Sequence, residues 1–255
     1  MIVAKRKPFD EIMSLLKDHK KVLTVGCGTC VAVCLAGGEK EVDVLNAELD
    51  MARRLKDDPI ELGAKTVERQ CDREYLAELD DLAKDYEAII SMACGVGIQF
   101  LAERFPDIPV YPAVDTCGLA VNQAVGWYEE RCRSCSSCVL GLTGGICPVT
   151  LCPKGLVNGP CGGTVDGKCE TDPERDCAWT LIYRRLEETG RLDNLEAIQP
   201  PRARAVLPER VTLASATPPN STRVLRCPLL PNTSFGIIGS PLSQNLGTFG
   251  CFYQP

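Results

Sequence analysis

Cysteine is the residue type that most constrains this chain. The sequence holds 16 cysteines but a single histidine, His19, among 255 residues. The early basic residues are not followed by an apolar segment, so we expect no secretory signal and a reducing, cytoplasmic location in which disulfides do not persist. A single histidine leaves almost no residues for mixed cysteine–histidine zinc sites or for Cys–His catalysis. The cysteines are therefore predicted to form all-thiolate metal sites, either iron–sulfur clusters or structural four-cysteine zinc.

The overall composition argues against two classes of partner. Hydrophobic residues make up 45% and charged residues 24% of the chain, as in ordinary soluble proteins. The net charge of −6 provides no basic surface for nucleic acid. The longest apolar runs, Val22–Val25, Val31–Ala36 and Ala88–Met92, are far too short to cross a bilayer. We therefore expect neither nucleic-acid binding nor membrane insertion.

Residues 1–118 alternate between strand and helix patterns. Short apolar runs predict buried strands at Val22–Val25, Ala88–Ser91 and Val110–Val114, with a further strand end at Thr66–Arg69. Helical periodicity predicts helices at Pro8–Lys17, Asp43–Lys56, Asp72–Asp85 and Val96–Phe105. Strands that alternate with helices in this way indicate an α/β domain with a Rossmann-like parallel sheet.

The next segment, residues 119–178, is rich in Cys, Gly and Pro and shows little periodicity. Such a segment cannot build a sizeable apolar core, so we expect bound metal to stabilise its fold. An apolar face over Ala178–Leu192 predicts a helix directly afterwards. Residues 119–200 are therefore expected to form a small cysteine-rich, metal-stapled module with a terminal helix.

The composition changes again from about Ala205, where Ser, Thr, Pro and Asn dominate. Residues 201–255 are accordingly predicted to be a disordered tail. Cys227 and Cys251 lie in this tail, and we give them little weight as metal ligands.

The first cysteine group directly follows the first buried strand. The run GCGTCVAVC places Cys27, Cys30 and Cys34 in the spacing C-x2-C-x3-C, and a [4Fe–4S] cluster needs a fourth thiolate. Loops at the carboxyl ends of parallel strands share one edge of the sheet. Cys94 is the preferred fourth ligand because the glycine beside it lets the backbone approach a cluster closely, and Cys71 is the second choice.

Other interpretations of this region stay open. Cys71, Cys94 and Cys117 are alternatively small buried hydrophobic residues, a common environment for cysteine. A radical-enzyme cluster with an open iron is disfavoured because its usual spacing, C-x3-C-x2-C, is reversed here. Gly26–Gly28 and Gly95–Gly97 do not complete G-x-G-x-x-G, so nucleotide binding is only weakly indicated.

The second cysteine group gives the strongest indication of metal. Cys132, Cys135 and Cys138 form C-x2-C-x2-C, which with a later Cys-Pro is the ferredoxin-like ligand pattern. The remaining members of the group are Cys147, Cys152, Cys161, Cys169 and Cys177. Eight thiolates suffice for two [4Fe–4S] clusters, or for one cluster and one four-cysteine zinc. The spacing does not reveal which cysteines share a metal.

The sequence around these cysteines resembles that of a known protein family. The stretch CRSCSSCVLGLTGGICPVTLCPKGLVNGPCGGTVDGKCE, followed by CAWTLIYRRL, resembles the cysteine-rich C-terminal module of methylenetetrahydrofolate reductases. With GCGTCVAVC and SMACGVG upstream, residues 1–200 resemble the MetV-type small iron–sulfur subunit of the two-subunit reductase. The resemblance implies a flavin-containing large subunit that binds the folate, and further electron-donor subunits are compatible with it.

The resemblance also implies ligand sets. Cys27, Cys30, Cys34 and Cys94 would hold one cluster, and the second cysteine group would hold the others. This amounts to one to three [4Fe–4S] clusters, with one zinc as an alternative occupant.

Three functions follow from these observations. The leading one is an electron-transfer subunit of a folate-dependent reductase, without catalytic residues or a cofactor pocket of its own. The second is a structural four-cysteine zinc scaffold in the same or a related one-carbon complex. The third is a free-standing enzyme that uses a cluster at Cys27–Cys34 for catalysis.

Overall fold

The computed structural model describes residues 1–135 and 137–200, and these residues form one compact unit. The predicted tail, with Cys227 and Cys251, lies outside the described residues. The strands are β1 Ile2–Arg6, β2 Lys21–Cys27, β3 Glu61–Val67, β4 Ala88–Ser91, β5 Val110–Pro112, β6 Val114–Ala124, β7 Trp127–Cys132, β8 Lys168–Cys169 and β9 Asp172–Asp176. The α-helices are α1 Phe9–Leu15, α2 Cys30–Val33, α3 Glu39–Arg54, α4 Arg73–Leu76, α5 Gly95–Arg104, α6 Pro148–Leu151 and α7 Ala178–Glu188.

A parallel sheet with the strand order β3-β2-β4-β5 forms the centre of the fold. Strand β2 is buried along nearly all of its length because helices cover both faces of the sheet. Val22 packs with α1 and α3 on one face, whereas Leu23 and Val25 pack with α4 and α5 on the other. The predicted α/β class with a Rossmann-like parallel sheet is therefore confirmed.

One predicted helix is wrong in length. The segment Asp72–Asp85 is not one continuous helix: α4 ends at Leu76, and 3-10 turns follow at Ala77–Leu79 and Leu82–Asp85. The apolar side chains of the segment still reach the core. Aspartate is a poor helix former, and Asp80 instead forms an ion pair with Arg104 of α5.

A second sheet was not anticipated from the sequence. Strand β1 pairs antiparallel with β6, and β6 continues through a turn at Gly126 into β7. Gly126 has a φ of 79°, a left-handed conformation that glycine adopts without strain. Because β6 runs from Val114 to Ala124, it passes through residue 118, where the sequence suggested a domain boundary.

The cysteine-rich segment has a small apolar core of its own. Trp179, Ile182 and Leu186 lie on one face of α7 and are buried against neighbours that include Ile146 and Leu156. The helix therefore begins where the sequence predicts, although it ends at Glu188. In the described ranges, no helix has the length and apolarity required to cross a lipid bilayer.

A substitution at Gly37 tests how the loop after α2 is packed. Any side-chain Cβ here would overlap the carbonyl oxygen of Met92, and the Gly37 carbonyl accepts a 2.8 Å hydrogen bond from the Cys27 N–H. Since this neighbour is backbone and cannot rotate away, we expect Gly37→Ala to lower the free energy of unfolding by about 1–3 kcal/mol in urea titrations.

Gly141→Ala is the matched control, because a Cβ at that position meets no atom within 4 Å. Equal stability losses in the two variants would contradict the proposed packing of this loop.

Candidate metal centres

The first cysteine group lies at the carboxyl end of β2. Cys27 is the last residue of the strand, Cys30 begins α2, and Cys34 follows that helix. The side chains of Cys27 and Cys34 are buried, whereas that of Cys30 is partly exposed. A turn of only a few residues therefore presents all three thiols near one edge of the parallel sheet.

Neighbouring strands bring two further thiols to this edge. Cys71 lies beyond the end of β3, and Cys94 lies beyond the end of β4. The pKa of Cys71 is raised, first by burial and then by the nearby thiols of Cys27 and Cys94. Cys71 thus lies within electrostatic reach of Cys27 and of Cys94, the other candidate for the fourth ligand.

Cys117 reaches the same region from the antiparallel sheet. Burial raises the pKa of Cys34, and the thiols of Cys117 and Cys30 raise it further. The backbone N–H of Ala4 on β1 donates to Cys34 Sγ at 3.4 Å. The side chain of Cys117 is exposed, which does not fit a small buried hydrophobic residue. Its proximity to Cys34 depends on the pairing of β1 with β6.

A buried glutamine ties the strand ends together. Gln70 is fully buried, and its amide donates to the carbonyls of Val25 and Gly26 at 2.9 and 3.1 Å. Its side-chain oxygen accepts a 2.7 Å hydrogen bond from the Ser91 hydroxyl at the end of β4. Because Gln70 precedes Cys71, this network fixes that thiol relative to β2 and β4. Sequence analysis did not identify Gln70, although its position directly after the predicted strand end Thr66–Arg69 was the available signal.

Four cysteines of the second group line a single small pocket. They come from the loop after α6, from a glycine-rich turn, from β8 and from the residue before α7, and we call them the thiol quartet: Cys152, Cys161, Cys169 and Cys177. The other four cysteines of this group do not line that pocket. The structure thus divides a set of eight that the spacing alone leaves undivided.

The amino end of α7 stabilises the thiolate of Cys177. Burial by itself raises the pKa of this thiol, but hydrogen bonds from the backbone N–H groups of Thr180 and Trp179 and from the hydroxyls of Thr180 and Thr164 lower it overall. Helix amino termini favour thiolates in this way. Metal binding requires the thiolate form, so this arrangement suits a ligand.

Hydrogen bonds also reach two other members of the quartet. The pKa of Cys169 is lowered chiefly by the Thr171 hydroxyl, which lies 3.2 Å from its sulfur. The N–H of Gly163 donates to Cys161 Sγ at 3.4 Å. Donors directed at sulfur compensate the charge of a thiolate and tune any metal bound to it.

The remaining four cysteines lie between the end of β7 and the start of α6. Cys132 ends β7, Cys147 precedes α6, and the exposed Cys135 and Cys138 lie in the connection between these elements. The hydroxyl of Thr150 on α6 donates to the carbonyl of Arg131 at 3.5 Å, which joins α6 to the end of β7. Cys132, Cys135 and Cys138 form the C-x2-C-x2-C run of the ferredoxin-like pattern, and Cys147 is one of the two later cysteines that a proline follows, the other being Cys152 of the quartet.

Most of the candidate ligands are free thiols, namely Cys27, Cys30, Cys34, Cys71, Cys94, Cys132, Cys138, Cys147, Cys152, Cys161, Cys169 and Cys177. Within residues 1–135 and 137–200, no three Cys, His, Asp or Glu side chains converge closely enough to hold a single metal ion. His19 instead has its Nε2 3.0 Å from the Tyr111 hydroxyl, within hydrogen-bonding distance.

Part of the chain is similar to a known protein family. Residues 111–205 match the family model described as "Methylene-tetrahydrofolate reductase C terminal". The matched segment contains β6, β7, all eight cysteines of the second group and α7, and it leaves the parallel sheet almost entirely outside. No curated protein and no solved structure matches the chain. The match supports a relation to methylenetetrahydrofolate reductases through this segment.

If the thiol quartet holds one metal site, its members act as a unit. We expect Cys161→Ser and Cys169→Ser each to lose the same metal, and the double variant to lose no more than either single variant, because the site is already gone. Elemental analysis of metal per chain measures this, and Cys117→Ser serves as the control outside the quartet. Metal losses that add in the double variant would show that the two thiols belong to different sites.

Proposed function

We propose that the protein is the iron–sulfur electron-transfer subunit of a methylenetetrahydrofolate reductase complex. It would pass electrons to a flavin-bearing large subunit that reduces methylenetetrahydrofolate to methyltetrahydrofolate. The observation that carries the proposal is the thiol quartet, with N–H and O–H donors directed at its sulfurs, inside the segment that matches the reductase family.

The donor set fits iron–sulfur clusters. All candidate ligands are thiols, and all-thiolate sets of four hold [2Fe–2S] or [4Fe–4S] clusters. The quartet would hold one cluster, the ferredoxin-like set Cys132, Cys135, Cys138 and Cys147 a second, and the edge of the parallel sheet a third. A bound cluster supplies reversible one-electron transfer. At the sheet edge, Cys27, Cys30 and Cys34 would take either Cys94 or Cys71 as the fourth ligand.

The exposure of the sites supports exchange of electrons with a partner. Cys132, Cys135, Cys138 and Cys161 are exposed, whereas Cys27 and Cys34 are buried. Electron tunnelling weakens steeply with distance, so sites near the surface of the matched segment are suited to meet a docked flavoprotein. The sheet-edge site, in which Cys30 and Cys94 are partly exposed, would be a further carrier in the same chain of electron transfer.

The chemistry of thiolate sites also explains the need for a partner. Reduction of a methylene group requires hydride or its equivalent, and clusters transfer single electrons. A flavin accepts single electrons and delivers a pair, which makes it the natural link between the two. The reduced thiols that this role requires are in keeping with the cytoplasm.

A zinc scaffold is the second candidate function. It is favoured by the small apolar core of the segment, in which Trp179, Ile182 and Leu186 are the buried residues. A core of this size needs a staple, and a four-cysteine zinc in the thiol quartet would provide one.

Metal content and magnetic spectroscopy distinguish the two candidates. Protein purified anaerobically should contain iron and acid-labile sulfide, absorb visible light, and show a low-temperature EPR signal after reduction. Adding the oxidised flavoprotein partner should then abolish the signal as electrons leave. Zinc as the sole metal, in colourless protein, would contradict the electron-transfer role.

Matched variants assign the signal to residues. Cys132→Ser should remove one cluster, or about four iron atoms per chain, because it deletes a ligand. Ser137→Ala, in the same connection, should leave the iron content unchanged.

A further inference from the structure

A cavity of about 450 Å³ lies beside α7, against Trp179, Thr180 and Tyr183, and none of the metal sites uses it. This volume falls within the range of roughly 300–1,000 Å³ that is typical of small-molecule sites. Its apolar walls come from Val139, Leu142, Val157, Trp179, Tyr183 and Leu195. Apolar walls with a few convergent polar groups are the usual composition of a ligand pocket.

Hydrogen bonds hold the walls of the cavity in place. The side-chain amide of Asn158 donates to the Gln199 carbonyl at 2.8 Å, and the Gln199 N–H donates back to Asn158 Oδ1 at 2.7 Å. The Asn194 amide donates to the Leu142 carbonyl at 3.3 Å. Separate segments of the chain are thus linked around the cavity.

Two aromatic residues shape the cavity for a flat ligand. Trp179 and Tyr183 lie one turn apart on α7 and both line the cavity. The indole N–H of Trp179 donates to the Leu156 carbonyl at 2.9 Å, which fixes the plane of the ring. Tyr183 is 47% exposed and stands at the opening. Aromatic faces stack on planar rings. The Thr143 hydroxyl donates to the Val139 carbonyl at 3.1 Å, and its oxygen can still accept from an N–H at a ring edge.

The cavity and the thiol quartet share a wall. Trp179 and Thr164 line both the cavity and the quartet pocket. Thr180 lines the cavity and also hydrogen-bonds to Cys177. A ligand in the cavity would therefore be separated from the quartet by single side chains.

We propose that this cavity binds a planar nitrogen heterocycle, the ring chemistry that flavins and pterins share. Its lining residues in the described ranges carry no charge, so the ring is held inside and an anionic tail projects into solvent. The inference rests on the proposed function in one respect, because a redox-active ring belongs beside an electron-carrying site.

The two tryptophans of the chain make a direct binding assay possible. Trp127 is 67% exposed and begins β7, away from the cavity lining. Trp127→Phe leaves Trp179 as the sole tryptophan of the full, metal-loaded chain. Titration with FMN and, separately, with 5-formyltetrahydrofolate should give saturable quenching of Trp179 fluorescence by at least one of them. Quenching by FMN alone indicates a flavin site, and quenching by the folate alone indicates a pterin site.

Variants at the opening of the cavity test its location. Tyr183→Ala should weaken binding at least tenfold, because one aromatic wall is lost, and Leu195→Arg should do the same without altering α7. Glu188→Ala, exposed on the same helix and outside the cavity, is the matched control and should bind as the parent does.

Two results would overturn the inference: no saturable quenching by either probe up to about 1 mM, or unchanged binding in both opening variants. Metal analysis of the same samples separates this inference from the proposed function. Ring binding by a protein that holds zinc alone would support the cavity and contradict electron transfer. Iron–sulfur clusters without ring binding would do the reverse.

Discussion

The parallel pairing of β2 with β3 and β4 is the constraint on which the first cysteine group depends. Parallel strands all end at one edge, so thiols placed at or just beyond the ends of three different strands lie near that edge although they are far apart in sequence. Gln70 secures this arrangement by satisfying the buried carbonyls of Val25 and Gly26 and the hydroxyl of Ser91. A preformed fold therefore presents this site, and its thiols do not have to organise the chain.

The second cysteine group, unlike the first, does not lie on a large preformed fold. The segment has a small apolar core around α7, and its cysteines occupy turns, short strands and the residue before a helix. Here the thiols would organise the chain, with metal in the place that a hydrophobic core holds elsewhere. Trp179 takes part in all of these features, since it packs in the small core and lines both the quartet pocket and the neighbouring cavity.

Local patterns predicted much of the fold. The apolar runs at Val22–Val25 and Ala88–Ser91 and the amphipathic face of α7 are short-range signals, and the structure confirms all three. The antiparallel sheet could not be predicted in this way, because β1 has five residues and its partner β6 lies more than a hundred residues away. The proximity of Cys117 to Cys34 depends on this distant pairing.

The sequence spacing likewise could not show which cysteines of the second group lie together. Cys161, Cys169 and Cys177 match no standard ligand interval, and that they line one pocket depends on the β8–β9 hairpin and on where α7 begins. The apolar cavity was missed because Val139, Asn158 and Gln199 come from distant stretches, each of which is unremarkable alone. Chemistry-bearing residues were thus identifiable from sequence, whereas their grouping required the fold.

X-ray absorption spectroscopy at the iron and zinc edges tests most directly whether these cysteines are all-thiolate metal ligands. For the protein purified without oxygen, the account predicts a first shell of sulfur alone, at about 2.3 Å, around every bound metal. It further predicts a short iron–iron distance, which only a cluster produces. A first shell dominated by nitrogen or oxygen, or protein that contains no metal when isolated from iron-replete cells, would contradict it.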